Sequence, residues 1–475
     1  MDFIWGVESV MEQENRKISN LAALIITFLM WSSFIFIWLN FYNDYTFRTY
    51  RVRGAVACIL IWLFLYLKFS KVYSSFKIAS NSVGEIAFSQ FLSISFSDLI
   101  LYIACCLSAR LYIDIVPGVI TVCVQIVFGI IWALFAKRFF LSHVEPNKCV
   151  FVYDTKVSNL EIAQCNELIK KLVSKYGHLF NIDKKISIND KPYETLDQLE
   201  RYPVVFIGVI PMEIRNQIIG YCVNKDKRFY LIPTLEDAIA CGYQVKHFID
   251  TPILSYNGST RSIHSYFGKR IGDIIVSLLL IVLTSPIMLV TAISIKIEDG
   301  GTILFKQKRV GGGGKVFNIL KFRSMIMDAE KDGKPRPAVE GDPRITKVGR
   351  FIRKTRFDEL PQLFNILKGD ISLVGPRPER VEHVELYTKQ IPEFKYRLCA
   401  PAGLTGYAQI YGKYNTTPKD KLLLDLFYIE QQCFLMDAKI LFLTIKIVFT
   451  PESTEGFDEE KSEEIRGFIR KCGQE

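Results

Sequence analysis

Four long apolar runs in the first third of the chain limit its fold more than any other feature. They cover residues 18–40, 54–73, 88–108 and 116–135. Each is long enough to cross the hydrocarbon core of a bilayer, which takes roughly 20 residues of α-helix. The mean hydropathy of +0.19, with 49% hydrophobic residues, is too high for an ordinary soluble protein. The sequence therefore predicts a membrane protein with a four-helix transmembrane domain over residues 18–140.

Basic residues at the ends of these runs predict the orientation. Two groups of basic residues favour a cytoplasmic location of both termini and one group opposes it, so the positive-inside bias is modest. It places both termini, including residues 1–17, in the cytoplasm, and an even number of spans puts both on one face. The favouring residues are Lys68, Lys71, Lys77, Lys137, Arg138 and Lys148, and the opposing ones are Arg48, Arg51 and Arg53.

Residues 149–250 have the composition of a soluble domain in which strands and helices alternate. This alternation predicts a parallel, Rossmann-like sheet. The first strand is not followed by the glycine pattern that lets a pyrophosphate approach a helix. A structural or regulatory role is therefore favoured over ligand binding. The predicted strands are 149–153, 203–209 and 228–232, and the predicted helices are 160–176 and 212–224.

A fifth apolar run, residues 274–295, has basic residues on both sides: Lys269 and Arg270 before it and Lys296 after it. Both ends should therefore lie on the same face of the membrane. Ser285-Pro286 stands in the middle, where proline removes a helical hydrogen bond and nearby hydroxyls can cover the freed backbone. These features predict a broken, re-entrant helix over residues 269–297. The alternative is a proline-kinked fifth span with soluble parts on opposite faces.

Four consecutive glycines, Gly311 to Gly314, separate two short apolar stretches at 303–310 and 315–319. The arrangement predicts a β-hairpin with a permissive turn. The spacing of a phosphate-binding P-loop is absent. The charged, proline-containing segment 328–340 that follows is predicted to be a mobile loop.

Two adjacent carboxylates, Asp358 and Glu359, come just before apolar residues at helical spacing. Pro361 suits the first turn of a short helix and Gly369 its end. A helix N-terminus favours ionised carboxylates and bound phosphate. The stretch therefore predicts an anionic-substrate site with a built-in nucleophile, and the alternative is that Asp358 merely caps the helix. The surrounding cations are Arg350, Arg353, Lys354 and Arg356.

Further cations occur in the same part of the chain, at Lys321, Arg323, Arg344 and Arg377. Arginine matches phosphate in bidentate geometry, so their clustering suggests a phosphate pocket. The net charge of +10 is spread over loops and membrane flanks, which favours anionic lipid or phosphorylated substrates over nucleic acid. The 5 histidines are scattered and the 11 cysteines include no Cys-X-X-Cys, so zinc, disulfide and histidine chemistry are not indicated.

Residues 419–449 contain two apolar, aromatic-rich stretches. They predict two amphipathic helices lying along the membrane face, with ordinary core helices as an equal alternative. The residues after Pro451 form an acidic tail, 451–475, which is predicted to be loosely ordered.

From Lys269 to Phe449 the sequence resembles the bacterial sugar transferases, the monotopic polyprenyl-phosphate phosphoglycosyl transferases. With the four N-terminal spans and the Rossmann-like domain, the whole chain is similar to the large form of this family, and residues 265–450 correspond to its catalytic domain. The matching motifs are Lys269-Arg270-X-X-Asp273, Ser285-Pro286, Phe305-X-Gln307-X-Arg309-X-Gly311, Lys321-Phe322-Arg323-Ser324-Met325, Asp358-Glu359-Leu360-Pro361-Gln362, Gly375-Pro376-Arg377-Pro378 and Gly403-Leu404-Thr405-Gly406-Tyr407-Ala408-Gln409.

The resemblance implies transfer of hexose-1-phosphate from a UDP-sugar to undecaprenyl phosphate with release of UMP. Asp358 would be the nucleophile that carries the phosphosugar covalently, and Glu359 would help to hold Mg²⁺, with Asp358 as a second metal ligand. The residues expected to bind substrate or phosphate are Lys321, Arg323, Arg344, Arg353, Arg377 and Gln307.

The resemblance also implies a multi-pass protein of the bacterial inner membrane, with its catalytic domain on the cytoplasmic face. The expected pathway is capsule, exopolysaccharide or O-antigen synthesis, with glucose or galactose as the usual sugar and a homodimer as the expected assembly. Arg356-Phe357, Tyr407 and the four glycines depart from the family pattern, which puts substrate preference in doubt more than activity. A non-catalytic membrane scaffold is the alternative. A metal-dependent sugar transferase of the ordinary kind is disfavoured because the chain has no Asp-X-Asp.

Overall fold

The structure, a computed structural model, forms two compact units, Met1–Ile232 and Pro233–Glu475. The boundary falls inside the predicted 149–250 domain. The structure describes residues 16–42, 51–144, 146–154, 166, 169–170, 172–174, 176–188, 196, 198–248, 251–255, 263–327, 329, 342–412 and 416–448. The predicted mobile loop 328–340 and the acidic tail 451–475 fall almost wholly outside the described residues, as does most of the predicted helix 160–176.

The first unit begins with four long helices: α1 (Arg16–Ile37, continued by a π-helical turn at Trp38–Tyr42), α2 (Arg51–Tyr73), α3 (Val83–Ala109) and α4 (Val116–His143). All four are long and apolar enough to cross a membrane. They confirm the four predicted helices, with each apolar run extended by up to a few turns.

Polar side chains join these helices at buried positions, as is common where apolar surfaces alone give little preference for one helix neighbour. The Tyr66 hydroxyl donates to Gln90 Oε1 at 2.9 Å. The Gln125 side chain donates to the carbonyl of Met30 at 3.3 Å. Leucines, isoleucines and phenylalanines on the opposite faces are exposed, which is the distribution expected of lipid-facing helices.

A four-stranded parallel sheet completes the first unit, with strand order β2-β1-β3-β4. The strands are β1 (Asn147–Tyr153), β2 (Phe180–Ser187), β3 (Val204–Ile207) and β4 (Arg228–Leu231), and α5 (Met212–Asn224) lies between β3 and β4. Strand β3 is buried along its whole length because both faces of a parallel sheet are covered. The predicted parallel sheet is confirmed, and β2 is an edge strand that the sequence did not indicate.

The second unit opens with α6 (Leu235–Ala240), a hairpin of β5 (Gln244–Phe248) and β6 (Thr251–Ser255), and the long helix α7 (Ile263–Asp299). The predicted break at Ser285 and Pro286 is not observed, because α7 is continuous through both residues. Pro286 cannot donate to the carbonyl of Val282, and the Ser285 hydroxyl donates to that oxygen instead, at 2.8 Å. The side-chain bond replaces the missing backbone bond, so the helix continues.

The rest of this unit is a small α/β assembly. It contains an antiparallel hairpin of β7 (Leu304–Val310) and β8 (Val316–Phe322), the helices α8 (Lys347–Lys354) and α9 (Gln362–Lys368), a parallel pair of β9 (Ser372–Val374) and β10 (Gly403–Thr405), and the helices α10 (Val381–Gln390), α11 (Tyr407–Tyr411), α12 (Pro418–Gln431) and α13 (Phe434–Val448). The β7–β8 turn has positive φ at Gly313 and Gly314, as the glycine run predicted.

The C-terminal helices were predicted to lie along the membrane face or to be ordinary core helices, and α12 matches the core alternative. Phe427 is 8% exposed and Tyr428 is 1% exposed, so the aromatic residues expected at the membrane face pack in the interior. The Tyr428 hydroxyl donates to Asp437 Oδ1 at 2.7 Å, and this polar partner makes burial of the ring favourable. Helix α13 differs, because Phe434 and Leu435 at its start are exposed.

Candidate active site

The two adjacent carboxylates lie on a one-turn 3₁₀ helix, Phe357–Glu359, between α8 and α9. Arg356 adopts a left-handed conformation with φ of 59°, which is uncommon for a residue other than glycine and turns the chain sharply after α8. The sequence placed both acids at the start of α9, but Pro361 occupies the N-cap position and no side chain caps that helix. Asp358 is therefore not a helix cap.

Glu359 is held by two of the predicted cations. Lys321 Nζ lies 2.9 Å from Glu359 Oε1, and Arg377 Nη2 lies 2.7 Å from the same oxygen. Burial by itself would raise the pKa of Glu359, but the charges of Arg377 and Lys321 outweigh it and hold the pKa well below its usual range. Strand β8 supplies Lys321, and the loop after β9 supplies Arg377. The hairpin and the loop thus fix an ionised carboxylate between them.

Asp358 has a different environment although it is adjacent. Its side chain is largely buried at 8% exposure, and none of the described residues donates a hydrogen bond to its carboxylate. Burial, followed by the negative charge of Glu359, raises the pKa of Asp358, while Lys321, Arg353 and Arg356 oppose the rise. Asp358 is thus a buried carboxylate beside several cations, with no hydrogen-bond donor to it in the part of the chain that the structure describes.

Arg353 is a predicted phosphate-binding residue that the structure brings close to Asp358. Its charge acts on the Asp358 carboxylate, and its Nη1 atom is buried without a hydrogen-bond partner among the described residues. An unpaired buried guanidinium nitrogen costs free energy. An anion bound beside Asp358 would remove that cost.

Gln307 orients a cation instead of facing open space. Its Oε1 atom accepts hydrogen bonds from Arg309 Nε at 3.0 Å and Nη2 at 2.7 Å. Arg309 Nη1 donates to the carbonyl of Pro378, next to Arg377. Burial and the neighbouring charge of Arg377 lower the pKa of Arg309 to about 10. Arg309 is a site residue that was not selected from the sequence, although it belongs to the same motif as Gln307.

The structure does not bring Arg323 and Arg344 to the two carboxylates. Arg323 forms an ion pair with Asp299 at the end of α7. Arg344 binds Asp342 through two hydrogen bonds, Nε to Oδ1 at 2.9 Å and Nη2 to Oδ2 at 2.6 Å. Both arginines hold local structure, and their contact with a substrate phosphate stays a prediction.

A buried ionic network lies behind Arg377. Arg397 pairs with Asp425 at 2.7 Å, and the two side chains are 2% and 1% exposed. Arg397 Nη2 also donates to the backbone carbonyl of Arg377 at 2.9 Å. Glu379 pairs with Lys421, and although burial opposes ionisation, the charge of Lys421 holds the pKa of Glu379 well below its usual range. The network fixes the backbone that presents Arg377 to Glu359.

Comparison with known proteins identifies a family for the region of the chain that contains these residues. The profile described as bacterial sugar transferase matches residues 264–451. UDP-N-acetylgalactosamine-undecaprenyl-phosphate N-acetylgalactosaminephosphotransferase of Aeromonas hydrophila is 44% identical over 187 residues, which are 39% of this chain and 44% of that protein. Undecaprenyl-phosphate galactose phosphotransferase of Salmonella typhimurium is 40% identical over 202 residues, 39% of this chain and 41% of that protein.

UDP-glucose:undecaprenyl-phosphate glucose-1-phosphate transferase of Caulobacter vibrioides is 40% identical over 191 residues, which are 39% of this chain and 71% of that protein. The match thus spans less than half of the Aeromonas and Salmonella proteins but more than two thirds of the Caulobacter protein. The chain belongs to the bacterial sugar transferase family.

Proposed function

We propose that the protein transfers a sugar phosphate from a UDP-sugar to undecaprenyl phosphate and releases UMP. One observation carries this proposal: Asp358 is a carboxylate without a hydrogen-bond partner among the described residues, next to a Glu359 that Lys321 and Arg377 hold ionised. A phosphate-transfer site needs a free nucleophile among cations that offset the phosphate charge. The relatives named above act on undecaprenyl phosphate according to their names.

The proposed reaction has two displacements at one phosphorus atom. An Asp358 oxygen attacks the phosphate next to the sugar, the bond to the bridging diphosphate oxygen breaks, and UMP leaves with that electron pair. The sugar phosphate is then bound to Asp358 as a mixed anhydride. A phosphate oxygen of the lipid attacks the same phosphorus, and the Asp358 carboxylate leaves. Arg353 and Arg377 would offset the charge of the phosphates during both displacements.

We also propose that Mg²⁺ takes part, held by Asp358 and Glu359 together with diphosphate oxygens. Among the described residues no three His, Cys, Asp or Glu side chains are grouped as a metal site. The residues fit Mg²⁺ because this ion often uses only one or two carboxylates and takes its other ligands from phosphate and water. When bound, it would neutralise part of the diphosphate charge. Glu359 Oε1 already accepts from Lys321 and Arg377, which leaves Oε2 for this role.

The function is tested by incubating the purified protein with undecaprenyl phosphate and a panel of UDP-sugars, with and without Mg²⁺, and measuring UMP and lipid-linked sugar. We expect stoichiometric formation of both with at least one donor. The relatives' names include glucose, galactose and N-acetylgalactosamine, so all three belong in the panel. Absence of UMP with every donor would favour the alternative, a non-catalytic membrane scaffold.

Acid should inactivate the enzyme as Asp358 becomes protonated, and removing a neighbouring cation should move this inactivation to higher pH. Burial raises the pKa of Asp358, and attack requires the ionised form, so the rate should fall as the pH drops through that raised pKa. Lys321 lowers the pKa of Asp358, so Lys321→Met should move this decline to higher pH. Single-turnover pH–rate profiles measure the shift. Lys315→Met, at an exposed turn position, is the matched control, and an equal shift in both variants would contradict the assignment.

We propose that α7 enters and leaves the membrane on the cytoplasmic face. Near its start, Arg270 Nη1 donates to the carbonyl of Ile366 at 2.6 Å, and near its end Glu298 accepts from the amide of Lys347 at 2.8 Å. Both ends are therefore bound to the same folded unit. A bend at Pro286, within a continuous helix, would allow this path.

The topology is tested with Phe267→Cys and Lys315→Cys in a cysteine-free background, labelled by a membrane-impermeant maleimide in inside-out vesicles. Position 267 precedes the apolar run and is exposed, and position 315 follows it and is also exposed. We expect both cysteines to react in inside-out vesicles and neither to react in intact cells. Labelling from opposite sides would establish an ordinary fifth span.

A further inference from the structure

A groove opens on the surface of the four-helix bundle, between the start of α3 and the end of α4. Its volume is about 910 Å³. The lining residues on which the inference depends are Leu134, Phe135, Lys137 and Arg138, all on α4. The reaction proposed above uses none of them, because its residues belong to the second unit.

The groove lies at the end of the bundle that joins the sheet of the first unit. Helix α4 ends at His143, and β1 begins at Asn147. Because α4 is long and apolar enough to cross a membrane, its last turns would lie at the membrane surface, where acyl chains meet lipid headgroups. A molecule in this groove would therefore contact both layers.

Apolar side chains come first along this part of α4, and cations follow toward the sheet. Leu134 is 55% exposed and Phe135 is 76% exposed, and Lys137 and Arg138 come within the next turn. Exposed large apolar side chains in a membrane segment suit hydrocarbon chains. Basic pockets between membrane helices bind anionic headgroups. The order along α4 matches that of a phospholipid, whose chains lie deeper in the membrane than its phosphate.

The charges at the groove leave one cation without a countercharge. Lys137 Nζ donates to the carbonyls of Ile78 at 2.8 Å and Ala79 at 3.1 Å, and the charge of Glu85 acts on it. Arg138 is exposed, and none of the described residues forms an ion pair or a hydrogen bond with its side chain. A guanidinium can bind two oxygens of one phosphate. A single phosphate at Arg138 would therefore balance the charge.

We propose that this groove binds an anionic glycerophospholipid of the bilayer, with its acyl chains against Leu134 and Phe135 and its phosphate on Arg138. The neighbouring Lys137 holds the turn between α2 and α3. His178, just before β2, also contacts the carbonyl of Ala79 in that turn, with Nε2 2.7 Å from the oxygen. The lipid thus binds where the membrane bundle and the sheet are joined. This inference goes beyond the proposed function and does not depend on it.

The test measures lipid binding to the purified full chain in a neutral detergent, by native mass spectrometry during titration with phosphatidylglycerol or phosphatidylcholine. Both lipids carry a phosphate, but only phosphatidylglycerol has a net negative charge. We expect the wild-type protein to bind one phosphatidylglycerol about tenfold more tightly than phosphatidylcholine, and Arg138→Gln to lose this preference, because the charge-assisted hydrogen bonds are lost. Lys68→Gln is the matched control, since Lys68 is exposed near the same end of the bundle and does not line the groove.

Two further comparisons test the location and the chemistry of the ligand. Leu134→Trp fills the apolar part of the groove and should weaken phosphatidylglycerol binding, whereas Leu99→Trp, at a position on α3 that is 51% exposed and outside the groove, should not. Inorganic phosphate in excess should not displace the lipid, because the acyl chains contribute to its affinity. Equal binding of both lipids by the wild-type protein, or an unchanged preference in Arg138→Gln, would overturn the proposal. Displacement by inorganic phosphate would overturn it in favour of a site for free anions.

Discussion

Asp358→Asn is expected to abolish turnover, lowering the rate by about 10⁴-fold or more, the range found when a nucleophile is removed from other covalent catalysts. The asparagine amide has nearly the shape of the carboxylate, so the fold and the Glu359 ion pairs with Lys321 and Arg377 should persist. An amide has no charge with which to attack phosphorus. Incubation with a UDP-sugar labelled in the sugar, without lipid, should give labelled protein for the wild type and none for this variant.

Glu359→Gln is the informative comparison because it changes the adjacent carboxylate and leaves the nucleophile in place. It removes the negative charge that Lys321 and Arg377 neutralise and that raises the pKa of Asp358. Labelled protein should still form, more slowly, and peptide mapping should locate the label at Asp358. If Asp358→Asn still accumulates label, or releases UMP at the wild-type rate, another residue is the nucleophile.

The regular elements with strong apolar patterns could be predicted from the sequence. The four N-terminal helices, strand β3 and helix α5 follow from long apolar runs or helical spacing, because burial determines these patterns. Strand β2 was missed because it lies at the sheet edge and carries Asp183, Lys184 and Lys185. At Pro286 the sequence showed the missing donor and the nearby hydroxyls that could cover the freed backbone, but it did not show that the Ser285 bond to Val282 would leave the helix continuous.

Only part of the site could be predicted, because the sequence does not show which side chains meet in the folded protein. Lys321 and Arg377 do meet Glu359, yet Arg323 and Arg344, equally basic in the sequence, pair with Asp299 and Asp342. From the sequence alone, every cation could bind a substrate phosphate. The folded structure shows which of them are already paired with a nearby carboxylate. Arg309 was passed over because its role depends on the approach of Gln307 and Pro378. The ion pair of buried Asp425 with Arg397 could not be predicted, since nothing near Asp425 in the chain indicates its partner.

Arg397→Met should produce the largest loss of stability among the substitutions considered. Arg397 is 2% exposed and its partner Asp425 is 1% exposed, and burial already raises the pKa of Asp425 in spite of the arginine. Removing the cation leaves a buried carboxylate without its charge partner, which typically costs about 3–5 kcal/mol. The change should appear as a lower denaturant midpoint for the detergent-solubilised protein and as a rise in stability when the pH is lowered enough to protonate Asp425.

The double variant Arg397→Met/Asp425→Leu separates the charge from the packing. Replacing both members of a buried pair by apolar residues of similar size is often neutral, so most of the lost stability should return. Activity should not return fully, because Arg397 Nη2 also holds the backbone carbonyl of Arg377, and loss of that bond should leave turnover about tenfold lower. An Arg397→Met variant as stable as the wild type would show that the buried ionic network contributes little to the stability of the protein. A double variant with full activity would show that Arg377 needs no support from Arg397 to hold Glu359.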